Sequence, residues 1–167
     1  GTDGTAAWQK YYCRATNADF GNGIIAHPDG GYLMIGNGDI HGSDLEQIHF
    51  IRVDAVGTQS WDRRIGESSY YDYGCSVCPT SDGGYLIAGA TKSAATRKNS
   101  LYLVKTNTDG TTRWKQVLGG ATSTWGNQIA EISPGQYLIV GHTEGTGGTL
   151  DAWVIRAYDQ AVADVPP

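Results

Sequence analysis

The pairs Asp19-Phe20, Asp72-Tyr73 and Thr124-Trp125 each stand directly before a glycine: Gly21, Gly74 and Gly126. Two of the three set a carboxylate beside an aromatic ring. Asn22 and Asn127 follow the glycine in the outer copies, and Cys75 follows it in the middle one. An aromatic face beside carboxylate and amide groups suits a sugar, whose C–H face stacks on the ring while its hydroxyls bond in pairs. The same rings could instead pack one structural unit against the next. A second repeated set, Arg52, Lys105 and Arg156, puts one cation into each of "HFIRVD", "YLVKTN" and "WVIRAY". Such a cation could reach a ligand hydroxyl, snorkel to the surface, or pair with a carboxylate between units.

Motifs for catalysis, metals and cofactors are weak. The sequence has no G-x-S-x-G, no H-E-x-x-H and no phosphate loop, and "GNGDIHG" lacks the strand-turn-helix context of a dinucleotide site. Asp39, His41 and Asp44 could approach a metal but belong to one loop only, which reads as solvated. No metal and no cofactor are expected. Asp62, Glu67 and Asp72 could supply paired carboxylates for glycoside hydrolysis, a reaction that needs two of them at a defined separation; spacing alone does not provide it, and the expectation is a protein that is not an enzyme. Cys75 and Cys78 on one strand would point to opposite faces and could bond only across a bulge. Cys78 aligns with the apolar positions Ile25 and Ala130 and reads as core, while Cys13 could be exposed.

The elements that carry these residues recur. Trp8, Trp61 and Trp114 are spaced 53 residues apart, as are Asp29 and Asp82. "HPDGGYLMIGN" returns as "TSDGGYLIAGA" and, altered, as "SPGQYLIVGH". Three copies of one unit fill the chain. In the second unit four short strands are expected near 74–79, 84–90, 100–107 and 111–117, with "DGG" as the turn between the first two. With 24 Gly, 10 Tyr and 5 Trp against 2 Phe and 1 Met, the chain favours short aromatic strands joined by turns, an all-β fold. The balance of 12 Lys and Arg against 17 Asp and Glu leaves a net charge of −5 and no basic cluster, which argues against nucleic acid as a partner. No apolar run approaches the roughly 20 residues that cross a bilayer, so membrane insertion is not expected either. The start at Gly1-Thr2-Asp3 fits a processed product.

"DGGYLIAG", "LYLVKTNTDGTTRW" and the aromatic-Gly pair resemble the roughly 50-residue propeller-like repeats of secreted and surface proteins, mostly bacterial. The likeness covers almost the whole chain, and "SPGQYL" departs from it in the third copy. It implies a β-propeller, a secreted or cell-surface location, and a binding or display scaffold without a fixed chemistry.

"TDGTAAWQKYY" at 2–12 aligns with "TDGTTRWKQVL" at 108–118, an outer strand, whereas "DAWVIRAYDQ" at 151–160 aligns with a third strand and has no fourth after it. The chain thus reads as one repeat domain over 1–167. Residues 1–12 form an outer strand, 20–65 and 73–118 two complete blades, 125–160 three strands of a third blade, and 161–167 a tail. Propellers typically have four to eight blades. Two copies exchanging their first strands would make a six-bladed homodimeric ring with no open edge; the alternatives are three blades of a longer propeller, or three blades packed another way. Two function classes follow: a lectin that presents repeated glycan sites for glycans or glycoproteins, with Asp19, Phe20, Asn22, Asp72, Tyr73, Trp125, Asn127, Arg52, Lys105 and Arg156 as its candidate residues, or a non-catalytic protein-interaction scaffold that works through its variable loops.

Overall fold

The computed structural model describes residues 3–12, 18–39, 45–67, 70–93, 97–119, 121–145 and 147–159. Among them the fold is all-β, with no helix. Sheet 1 holds β1 (Asp19–Ala26), β2 (Tyr32–Asp39), β3 (Glu46–Val53) and β4 (Gln59–Ile65). Sheet 2 holds β5 (Tyr70–Pro79), β6 (Tyr85–Ser93), β7 (Asn99–Thr106) and β8 (Thr112–Leu118). Sheet 3 holds β9 (Thr124–Ser133), β10 (Gln136–Glu144) and β11 (Leu150–Tyr158). Each is an antiparallel meander in chain order, because every connection is short enough for a hairpin. The four strands expected in the second unit are all present, the first starting earlier than its apolar run, at Tyr70.

The sheets pack face to face in series. Leu33, Ile35, Ile48 and Phe50 of sheet 1 meet Val77, Tyr85, Ile87 and Val104 of sheet 2. The other face of sheet 2, through Leu86, Ala88, Leu101 and Leu103, meets Ile129, Tyr137 and Ile139 of sheet 3. Alternation explains this: in the middle sheet both odd and even positions are apolar, as a strand covered on two faces requires. Phe50 lies edge-on to Trp61 and Tyr85, with ring centroids 5.1 and 5.6 Å apart, and locks the first junction.

The first strand of every sheet carries a bulge at one repeated position. Gly21 and Gly23 pair with Gly36 and Ile35, leaving Asn22 extra; Gly74 and Ser76 pair with Gly89 and Ala88, leaving Cys75 extra; Gly126 and Gln128 pair with Gly141 and Val140, leaving Asn127 extra. The kink brings the carbonyl oxygens of Phe20, Tyr73 and Trp125 against Gly36, Gly89 and Gly141, where any Cβ would overlap them. This close approach, and no turn requirement, explains the repeated glycine. Despite its bulge Cys75 is not bonded to Cys78, and both thiols are free.

Residues 3–12, expected as an outer strand, form no ladder with any described strand. They nonetheless lie on sheet 1 as outer strands lie on the following sheet. A Cβ on Gly57 would meet the Trp8 ring at 3.0 Å, as one on Gly110 would meet Trp61 at 2.8 Å. Trp8 also sits 6.3 Å from Tyr32, and the Tyr12 hydroxyl donates to the Gly57 carbonyl at 2.7 Å.

Candidate functional site

The aromatic-Gly residues occupy three different settings. Phe20 is 55% exposed. Tyr73 is half-buried with its ring 5.2 Å from Trp125, and Trp125 in turn stacks on His142 at 6.0 Å with the planes 16° apart. Burial, then the Glu46 carboxylate, raises the Tyr73 hydroxyl above its ordinary pKa. The rings of the second and third copies therefore touch one another across a sheet junction.

The carboxylates diverge too. Asp19 lies beside His49, 3.2 Å from Nδ1, and accepts from Arg64 at 2.6 Å, while Asp62 stands 3.7 Å from the other ring nitrogen of His49. Burial, then the Arg64 charge, lowers the His49 pKa, against Asp19 and Asp62. Asp19 and His49 line a cleft of about 240 Å³ between sheet 1 and residues 10–12. The counterpart Asp72 is fully buried under sheet 1, where its Oδ2 accepts from the Glu67 amide at 2.9 Å. Burial raises the Asp72 carboxyl despite that amide and the Lys115 charge. In the third copy Thr124 is buried and accepts from the Leu101 amide at 2.9 Å.

The bulge residues act between strands and sheets. Asn22 donates to Asn37 at 2.8 Å and to the Gly74 carbonyl of sheet 2 at 2.9 Å, and Asn37 in turn donates to Glu46. Asn127 reaches Nδ1 of His142 at 3.3 Å, His142 occupying the place of Asn37.

The three cations are all engaged within the chain. Lys105 is fully buried, holding Asp82 at 2.8 Å, the Tyr137 hydroxyl at 3.2 Å and Asp159 at 3.6 Å. Burial would raise Asp82, but bonds from Lys105 and Thr80 carry it well below the usual carboxylate range. Arg52 donates to the carbonyls of Val53 and Gly30, and Arg156 donates to Gln136 and lies over Tyr158. In the Asp39, His41 and Asp44 set, His41 and Asp44 fall outside the described residues, as does Cys13.

A second cleft, about 330 Å³, opens on sheet 2 at the end where β6 leads into β7 and β4 into β5. Tyr70, Thr91, Ser93, Ser100, Tyr102 and Val117 line it, with Lys98, Lys115 and Glu67, so its surface is mainly apolar. Lys115 Nζ holds Glu67 at 2.9 Å and Lys98 Nζ holds Glu144 at 2.9 Å, so two ion pairs stand at its rim. Thr91 stands opposite the buried Asp72 in the ladder. Among these only Glu67 and Asp72 drew attention in the sequence. The signal that could have found the others is parity: Tyr70, Asp72, Thr91, Ser93 and Ser100 share one face once the register is known. No family model matches this chain, and no curated protein matches it.

Proposed function

We propose that the protein is a non-catalytic carbohydrate-binding protein, a lectin, that seats a saccharide in the second cleft, on sheet 2, where an apolar surface is set with a few polar groups. The observation that carries the reading is the convergence of Tyr70, Thr91, Ser93, Ser100, Glu67 and Lys115 on one opening between formed sheets. A sugar hydroxyl both donates and accepts. Glu67 accepts, Lys115 donates and the hydroxyls do both, so adjacent ring hydroxyls find complementary partners. Tyr70 offers a ring for the C–H face. The volume sits near the lower end of small-molecule pockets, about 300 to 1,000 Å³, which suits one or two sugar rings.

The cleft of Asp19 and His49 is the weaker candidate. It lies on the face of sheet 1 whose counterpart in sheet 2 is covered by a neighbouring sheet. Three sheets stacked in series with equivalent junctions also support a propeller, here half of a six-bladed ring. The scaffold reading draws on a different observation, the exposed apolar face of sheet 3.

A glycan array probed with the purified chain, then calorimetry on the best binder, tests the lectin reading. Tyr70→Ala, Glu67→Gln and Lys115→Ala should each weaken binding about tenfold, in line with the loss of one stacking or charged contact, with melting temperatures close to the parent's. A blank array, or parent-like affinity in all three variants, would reject it.

A further inference from the structure

Sheet 3 presents an apolar face whose counterparts are core. Leu86, Ala88 and Leu103 of sheet 2 are at most 2% exposed, whereas Leu138 is 41%, Val140 43% and Val154 59% exposed at the same repeat positions. Sheet 3 also has three strands where its neighbours have four, so among the described residues β11 has a free ladder edge. Beside that edge runs a groove of about 320 Å³ lined by Trp114, Gln116 and Leu118 of β8 together with Tyr137 and Ile155. The corresponding outer strand of sheet 1 has no such vacancy, because the turn and fourth strand of sheet 2 lie along it, with Gly110 against Trp61 and Arg63.

Residues 3–12 supply the converse. They have the sequence of a fourth strand, lie on sheet 1 with Trp8 placed as Trp61 is placed on sheet 2, and pair with no described strand. Among the described residues, sheet 1 thus carries a segment without a ladder, and sheet 3 a ladder edge and slot without a strand.

We infer that the partner for this surface is a second copy of the chain, whose residues 3–12 add to β11 as its fourth strand. The segment need not leave sheet 1 to do so. Trp8 and Tyr12 keep their contacts with Tyr32 and Gly57 of their own copy, while the backbone pairs with β11 of the other. Sheet 1 of the first copy then covers Leu138, Val140 and Val154. The register follows from the two complete sheets. Lys105 faces Trp114 and Leu103 faces Gln116, as Arg52 faces Trp61 and Phe50 faces Arg63. Arg156 is therefore opposite Trp8, and Val154 opposite Lys10. The contact joins two different surfaces, occurs twice about a two-fold axis, and so closes the assembly. It would also close the cleft of Asp19 and His49, and it holds whether or not the cleft of sheet 2 binds sugar.

The test uses the full chain in a Cys13→Ser background. Sedimentation should give twice the 17.8 kDa chain mass at micromolar concentration. Lys10→Cys with Val154→Cys should form an intermolecular disulfide on mild oxidation, since directly opposed residues lie at bonding distance. Gln9→Cys with Val154→Cys should not, because a one-residue slip puts the two side chains on opposite faces. A monomer throughout that range overturns the inference. So does a dimer that cross-links equally well through both pairs, or through the Gln9 pair alone.

Discussion

His49 stands in sheet 1 where Tyr102 stands in sheet 2, and both are almost wholly buried. A phenol in that place needs no charge, but an imidazole flanked by Asp19, Asp62 and Arg64 has a protonation state that the fold must choose. Burial and Arg64 choose the neutral ring, so the folded pKa lies below the ordinary 6.5. The unfolded chain therefore takes up the proton first as pH falls. The stabilisation is whole above 6.5 and declines as pH drops from there through the lowered folded value. His49→Gln, which cannot titrate, should lose less stability than the parent between pH 7.5 and 5. Urea midpoints at the two pH values measure this, and an identical drop in both proteins would contradict it. The sequence showed Asp19 and Asp62 as acids, with nothing to mark His49 as their partner. Their meeting depends on cross-strand register and on the path of β4, neither of which a linear spacing encodes. For Lys105 the residue types were legible and its surroundings were not: Asp82 is 23 residues away in sequence and Asp159 lies just past the last strand of another sheet.

At the scale of elements, the bulge is the unit that repeats. Its outward signs were in the sequence, as the aromatic-Gly pair and the later glycine of each copy, but period-2 reading has no means of registering one extra residue. Strand order and strand count were legible because the apolar runs are short and the turns are marked. The bulge was not, because its cause is an approach between two backbones. Gly89→Ala should therefore be severe: the new methyl meets the Tyr73 carbonyl, and the neighbour that must yield is backbone. A loss of about 3 kcal/mol or more is expected, at or beyond the usual cost of overpacking a core. Gly21→Ala is the control, since a Cβ there meets nothing within 4 Å and φ is not left-handed. Denaturant titration of the two proteins separates the explanations. Equal effects would mean that the glycine is kept for chain flexibility and not for the close approach.

At the scale of the whole molecule, three sheets in series behave as a one-dimensional array in which each unit is held by its neighbours. Among the described residues, sheet 2 is covered on both faces, sheet 1 on one face by sheet 2 and on the other only by residues 3–12, and sheet 3 on one face alone. Periodicity revealed the array, but which faces stay open depends on how the sheets stack, so the exposure of Val140 and Val154 could not be read from their apolar character. The stacking orders the local stabilities. Amides of β6 and β7 should exchange with solvent only on global unfolding, whereas those of β11, whose outer edge and one face are uncovered among the described residues, should open locally at lower cost. Hydrogen exchange followed by mass spectrometry at high dilution measures the ranking directly. Protection of β11 equal to that of β7 under those conditions would contradict the serial picture. The same experiment repeated at rising protein concentration separates the chain's own stability from assembly. A second copy that adds a strand to β11 lends it protection by mass action, growing as the logarithm of concentration over the dissociation constant. β6 and β7 gain only what the molecule gains globally. A selective, concentration-dependent slowing in β11 and in residues 3–12 is therefore the expected signature of a ladder shared between copies.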